Sequence, residues 1–584
     1  MQSALRHRGP DDTDIFLSAD GHAGFVHARL AILDLSSAGH QPMSSADGRY
    51  TITFNGEIYN FRDLRAGLEK EGEAFQTNTD TEVILKLFAR DGAECVRELE
   101  GMFAFAIWDS IERSCFMARD PLGIKPLYYH TEPASIVFAS EVRALQMSGR
   151  VPHELNAQAL FGYLMYGSVQ EPDTLLKDVC CLPAGHWLEW RNGALRQRKY
   201  WDVEFKRDRP IPAEPQSFVR RAFSDSVSRH LVSDVPVGIF LSGGIDSTAI
   251  LAVAQKDHGL KARTFCISFD DPTFNEGDVA ARTAAHFGAE HSDLRLGASK
   301  GRELVKEFLA RSDQPSVDGF NTFCVASHAN AHGMKVVLSG LGGDELFGGY
   351  PSFQKVPKLV GWGRRAQWLG PLSRLGGAAM ERFATQPRWR KFGTFLCSAP
   401  SNGSAYWSVR GIFTPPEAAA LVREYTGVEP SETLPYAQNF FGVEPQPTAG
   451  DEISALELSK YMRNQLLRDS DVMSMAWGLE LRVPFVDRKL VDEISSVPAS
   501  VRLRLGKQLL LDAIPEIPSW VAEQPKRGFT FPFEQWLREE WSELFRQGDS
   551  RGSVPLLTWY RRWCLFALED FLRKSKATSQ RMAA

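Results

Sequence analysis

The sequence predicts two domains, an α+β first domain and a doubly wound α/β second domain. Three observations predict this. Short β-like runs and turns crowd residues 1–198. A polar, proline-rich stretch, 199–217, reads as a linker. In 218–584, strands alternate with helical segments from residue 235 to about 350. The chain has 584 residues, 43% of them hydrophobic, enough for large cores.

The elements follow in order. Residues 24–33 form one apolar run and 50–54 another, the second ending at Asn55-Gly56, a turn signal. Helical periodicity covers 61–71 and 81–91, and 102–108 with 114–118 reads as a hairpin. Strand-rich text with a few helices gives two packed sheets or an α+β layer domain. Residues 216–231 form an amphipathic helix leading into the second domain. There, 235–241, 262–269 and 333–339 read as strands and 276–287 as a helix. This is a parallel sheet whose ligands belong at the strands' carboxyl ends.

From 351 to 453 the alternation is lost, and helices rich in tryptophan and arginine take over (Trp362, Arg364, Arg365, Trp368, Arg388, Trp389, Arg390). A net charge of −5 favours a solvated helix face there over a nucleic-acid surface. The eight cysteines include no C-x-x-C pair, and adjacent Cys180 and Cys181 read as buried thiols, which suits a reducing cytoplasm. No apolar run is long enough to span a bilayer. Neither nucleic acid nor membrane is expected as a partner. Residues 573–581 read as a frayed tail.

The chemistry centres on residues 240–250. Ser242-Gly243-Gly244 lies between a strand's carboxyl end and a helix's amino end. Backbone N–H groups there point outward, and the helix dipole favours an anion. Ser242 and Ser247 add hydroxyl donors. Asp246 cannot bind phosphate directly, so it is expected to hold Mg²⁺ that does. No Gly-Lys-Ser/Thr follows, so this is not a Walker loop. A second cluster, Ser339-Gly340-Leu341-Gly342-Gly343-Asp344-Glu345, also follows a strand and can reach the same crevice.

Ser-Gly-Gly-x-Asp-Ser after an apolar strand resembles the pyrophosphatase loop of ATP enzymes that cleave between the α- and β-phosphates. In the first domain, Arg6-His7-Arg8-Gly9-Pro10-Asp11-Asp12, Arg29, 55–60, 77–80 and 119–126 are, taken singly, turns or ion pairs as often as sites. In this order, continuing through 138–141 and 182–186, they resemble the glutamine amidotransferase domain of the amino-terminal-nucleophile type. The segments 464–475 and 478–487 resemble the carboxyl-terminal half of asparagine synthetases, and the resemblance covers nearly the whole chain.

The resemblance implies an αββα sandwich followed by a PP-loop adenylating domain with added helices. It also implies site residues. Arg29 would bind the glutamine α-carboxylate, whose planar geometry suits a guanidinium fork. Asp80, with Glu57 nearby, would pair with the α-ammonium, and Asn55 and Gly56 would donate to the oxyanion. Leu241, Ser242, Gly243, Gly244, Asp246, Ser247, Ile267, Ser339 and Gly340 would contact ATP, with Ser268 flanking adenine or ribose. Asp344 would be the second Mg²⁺ carboxylate. Lys507 and Lys526 follow the same family, and Lys526 is the preferred residue for touching phosphates or an acyl-adenylate. Asp318 and Asn321 stand where the family places its amino-acid pocket, although a helix-capping loop explains them as well. Asp471, Glu480, Arg482 and Asp487 are expected to be buried and paired. The implied partners are glutamine, ATP and aspartate or another carboxylate, and the resemblance allows a homodimer.

Two departures matter. The family's nucleophile is an amino-terminal cysteine, whereas the first cysteine here is Cys95, inside a helical stretch. A start misplaced at an internal Met is the preferred explanation, with real loss of the strand as the alternative. As written, the chain is not expected to hydrolyse glutamine. Leu341 stands where asparagine synthetases commonly carry glutamate, and leucine cannot take a proton. Glu345 and Glu480 are the candidate replacements. The expected reaction joins ammonia to the aspartate β-carboxylate through an adenylate. The alternatives are another carboxylate acceptor, such as a sugar or peptide, or an ammonia-only synthetase.

Overall fold

The computed structural model describes residues 1–205, 212–271, 274–428, 442–524, 531–545, 550–552 and 554–583. In the first domain the organising strand is β5 (Gly101–Asp109). Its alternate side chains serve two cores: Phe103, Phe105 and Ile107 face one side, Ala104, Ala106 and Trp108 the other. Burial on both faces explains why the run is apolar without a break. β5 is central in a six-stranded antiparallel sheet with β3 (Met43–Ser44), β4 (Tyr50–Ile58), β6 (Ser114–Arg119), β10 (His186–Arg191) and β11 (Ala194–Lys199), in the order β11-β10-β6-β5-β4-β3.

Helices Phe61–Lys70 and Asp80–Asp91 cover the Phe103 face, burying Leu68, Val83, Ile84 and Leu87. The opposite face meets β2 (Gly24–Arg29), paired with β1 (Asp12–Leu17), and β7 (Tyr128–Glu132), which lies between β8 (Ser135–Ala139) and β9 (Val179–Cys181). The layered sandwich is present, but its second sheet consists of two separate pieces. One expectation fails here. Asn55-Gly56 is no turn, because β4 runs through both residues, pairing Asn55 with Ala104 and Gly56 with Phe103. Gly56 has φ 142° and lies so close to β5 that a Cβ would sit 2.0 Å from the Met102 carbonyl oxygen.

β11 extends to Lys199, and the next helix is Pro215–His230. The second domain is built on five parallel strands: β12 (Val237–Phe240), β13 (Arg263–Phe269), β14 (Glu290–Leu296), β15 (Val336–Leu338) and β16 (Glu480–Arg482). Their order is β14-β13-β12-β15-β16. The chain winds outward from β12 through β13 to β14, then returns to the other side of β12. The switch point therefore lies between β12 and β15, where an open parallel sheet forms its ligand crevice. Both glycine clusters leave the sheet there. Beyond them, helices from Ser352 to Thr426 and the helix Trp559–Ala583 complete the domain.

Candidate functional sites

The first site is a cavity of about 360 Å³ lined by Arg29, Asn55, Gly56, Glu57 and Asp80, the residues expected there. β2 supplies Arg29, β4 supplies Asn55 to Glu57, and Asp80 opens a helix. The buried Asn55 Nδ2 has no hydrogen-bond partner, which is rare for a buried donor. It is available to a ligand oxygen. Asp80 Oδ2 accepts from the Ile58 N–H at 2.9 Å. Burial pushes the Asp80 carboxyl up to about 7. Burial, then the charges of Asp80 and Glu480, pushes Glu57 up as well. Two buried carboxyls with raised pKa values favour an ammonium between them. Arg29 donates to the carbonyls of Leu33 (3.2 Å), Asp34 (2.5 Å) and Ser36 (3.0 Å), so it also shapes the cavity rim. Among the described residues no cysteine lines this cavity. Cys95 is buried in the turn Gly92–Arg97, and burial raises its thiol pKa.

A chain of buried charges runs from this cavity into the second domain. Arg8 bonds Glu141 (3.0 Å) and Asp471 (2.7 Å), and Lys125 lies between Asp471 (3.4 Å) and Glu480 (3.7 Å). Arg482 pairs with Glu480 (2.8 Å) and faces Glu57 at 3.5 Å. Asp487 pairs with Arg229 at 2.6 Å. The expected burial and pairing of Asp471, Glu480, Arg482 and Asp487 is all present. Removing one partner of such a pair leaves an uncompensated buried charge. The Arg482 carbonyl oxygen also accepts from Ser339 N–H at 2.8 Å, so the residue facing Glu57 anchors the second glycine cluster.

At the second site the two clusters interlock. Helix Ile245–Lys256 carries Asp246 in its first turn, and Ser242 Oγ lies 3.3 Å from Ser247 Oγ. The second cluster holds Asp344 in the short helix Gly343–Phe347. Its glycines make room. A Cβ on Gly343 would lie 2.2 Å from Asp246 Oδ1, and one on Gly349 would lie 1.8 Å from Asp344 Oδ1. Asp246 and Asp344 converge on one cation, the Lys507 ammonium, which bonds Asp246 Oδ2 and lies 2.5 Å from Asp344 Oδ1. Burial pulls the Lys507 pKa down, but the two carboxylates prevail and raise it. Lys507 follows Gly506 with both residues at positive φ, 59° and 73°, a strained pairing that brings the side chain into the site. Two acidic side chains already sharing one cation suit Mg²⁺, which takes few protein ligands and completes its shell from phosphate.

Leu241 and Ile267 are buried at the ends of β12 and β13, and Ser268 Oγ bonds Asp293. Lys526 lies outside the described residues. Sequence reasoning ranked Lys507 below Lys526, and the Gly506-Lys507 pair was the available signal. Glu345 and Glu480 are separated. Glu480 belongs to the interdomain charge chain, whereas Glu345 neighbours Asp344 and accepts from Tyr350 Oη at 2.9 Å. Burial, then Asp344 and Glu457, pushes the Glu345 carboxyl up to about 8, and its Oε2 is sealed without a partner. Asp318 accepts from Gly319 N–H (2.8 Å), and Asn321, in the first turn of helix Phe320–Ala331, accepts from Thr322 N–H (2.7 Å).

Both domains are similar to known families. Residues 1–201 match the glutamine amidotransferase domain family, and 218–583 match asparagine synthase. Asparagine synthetase [glutamine-hydrolyzing] 1 of Bacillus subtilis is 34% identical over 568 residues, spanning 94% of this chain and 85% of the relative. A putative asparagine synthetase [glutamine-hydrolyzing] of Mycobacterium tuberculosis is 33% identical over 577 residues, spanning 91% and 84%. A Gibberella zeae protein named amidase chry2 is 26% identical over 612 residues, spanning 93% and 87%. The chain belongs to the asparagine synthase family and carries a glutamine amidotransferase domain ahead of the asparagine synthase domain.

Proposed function

We propose that the chain is an ATP-dependent amide-forming ligase that converts aspartate to asparagine, with glutamine or ammonia as the nitrogen donor. The observation that carries this reading is the convergence of Asp246 and Asp344 on one cation at the switch point of a parallel sheet. The β-carboxylate oxygen attacks the α-phosphorus of ATP, and pyrophosphate leaves. Ammonia then attacks the acyl carbon, and AMP leaves with the carboxylate oxygen. The 242–247 loop would present N–H and hydroxyl donors to the phosphates, and Ser339 and Gly340 would close the opposite wall. Bound Mg²⁺ would screen the phosphate charge between Asp246 and Asp344. In the first domain, Asp80 and Glu57 would take the glutamine ammonium, Arg29 its carboxylate, and Asn55 with Gly56 the oxyanion. Eight free thiols fit a cytoplasmic setting.

Leu341 supports a second reading, another carboxylate acceptor on the same adenylating site, and a relative named as an amidase shows that names in this group vary. In either case Glu345 is the carboxyl group beside the nucleotide loop that could replace a glutamate at position 341. The test supplies MgATP and ammonium with aspartate. Asparagine and AMP in equal amounts support the first reading. AMP formation only with a different carboxylate supports the second, and no AMP with any acceptor removes both.

A further inference from the structure

One part of the surface departs from soluble-protein patterning. Helices Ser352–Ala366, Pro371–Phe383 and Pro387–Cys397 form an arm anchored in a buried core through Val356, Val360 and Phe395. Within it, helix Pro371–Phe383 packs on Pro387–Cys397 through small residues. A Cβ on Gly377 would lie 2.8 Å from the Gly393 carbonyl oxygen, and one on Gly393 would lie 2.5 Å from that of Gly377. Gly377 is the one buried residue of helix Pro371–Phe383. Its large apolar side chains point outward: Leu372 is 70% exposed, Leu375 66% and Phe383 74%. Trp368 (93%), Leu369 (62%) and Trp362 (61%), just before this helix in the chain, are exposed as well. Small residues inside and large ones outside is the arrangement of helices that pack against each other while facing lipid.

The charge of the arm fits one partner. Residues 362–390 hold six arginines and a single glutamate, in a chain whose net charge is −5. Arg364, Arg365, Arg374, Arg382 and Arg388 are exposed, and none forms an ion pair among the described residues. Other exposed arginines of this chain, such as Arg150, Arg191 and Arg538, do have acidic partners. Exposed tryptophan, leucine and unpaired arginine gathered in one short stretch of chain is the composition of interfacial membrane anchors. No helix is long and apolar enough to cross a membrane, so the contact would lie in the interface plane.

We propose that this arm docks the enzyme on an anionic lipid bilayer, its apolar side chains entering the headgroup boundary and its arginines meeting lipid phosphates. This revises the sequence-based expectation of no membrane partner, and it does not depend on the acceptor assigned above. Helix Ser352–Ala366 starts two residues after Tyr350, which bonds Glu345 of the nucleotide loop, so docking places the synthetase site one helix from the membrane surface.

The test is flotation of the full chain with vesicles of phosphatidylcholine alone or of phosphatidylcholine with 30% phosphatidylglycerol. The expected result is binding to the anionic vesicles at least tenfold tighter than to the neutral ones, weakened by salt, with a blue shift of tryptophan fluorescence. Leu372→Ser with Leu375→Ser, and separately Arg364→Ser with Arg365→Ser, should each cut vesicle binding at least tenfold and leave AMP formation in solution unchanged. The proposal is overturned by no preference for anionic vesicles, by vesicle binding unaffected by both double variants, or by a dimer in solution that Leu372→Ser dissociates. Binding to RNA without binding to vesicles would also overturn it.

Discussion

The two sites handle buried acid in opposite ways. In the first cavity Glu57 and Asp80 are buried with raised pKa values, and the nearest cation to Glu57 is Arg482 at 3.5 Å. In the second, Asp246 and Asp344 share the Lys507 ammonium, which bonds the first and lies 2.5 Å from the second. The first site leaves its charge to be balanced by a ligand that brings its own ammonium. The second already gathers two carboxylates around one cation. The protonation of the first site therefore changes near neutrality, through Asp80.

Breaking the second site should have the larger effect. Asp246→Asn removes one carboxylate from the shared cation and should cut pyrophosphate release by roughly 10²–10³-fold. An unchanged rate in that variant would remove the nucleotide-site assignment. Asp80→Asn should weaken glutamine binding by about 10–100-fold through loss of a charge-assisted pair, while synthesis from ammonium persists. Titration calorimetry with glutamine reads the first effect, and loss of ammonium-dependent synthesis would mean that Asp80 is structural. Glu345→Gln should lower synthesis about 10²-fold, as expected for loss of a proton-transferring group at the low end of its range, with little change in melting temperature. Full activity would show that Leu341 needs no substitute there.

The smallest effect concerns pH. Asp80 titrates at about 7 in the folded chain and near its ordinary value when unfolded. Between about pH 4 and 7 the native state binds the extra proton, so this group's contribution to stability falls as pH rises through that window. Asp80→Asn should flatten the dependence, a difference on the order of 1 kcal/mol. Glutamine affinity should rise through the same window, because the ammonium needs the ionised carboxylate. Urea unfolding at pH 5 and 7 measures the first, and glutamine titrations at the same pH values the second.

Local chemistry was readable in the sequence wherever a short motif carried it. Ser242-Gly243-Gly244 and the 339–345 cluster lie where strand-to-loop reading put them, and Arg29, Asn55, Glu57 and Asp80 share one cavity. Local reading failed where partners were distant. Asn55-Gly56 looks like a hairpin turn, yet pairing with β5 makes it mid-strand. Lys507 is 261 positions from Asp246, so no spacing in the sequence announces their contact. The chain from Arg8 through Asp471 to Arg482 likewise joins residues that only the tertiary fold brings together. The small-inside, large-outside pattern of Pro371–Phe383 was hidden because both faces read as mixed.

The most direct measurement follows oxygen. Aspartate labelled with ¹⁸O in its β-carboxylate is turned over with MgATP and ammonium, and the products are weighed by mass spectrometry. The account predicts one labelled oxygen in AMP and none in pyrophosphate. Label in pyrophosphate or free phosphate, or AMP formed without label, would contradict an acyl-adenylate at the Asp246–Asp344 site.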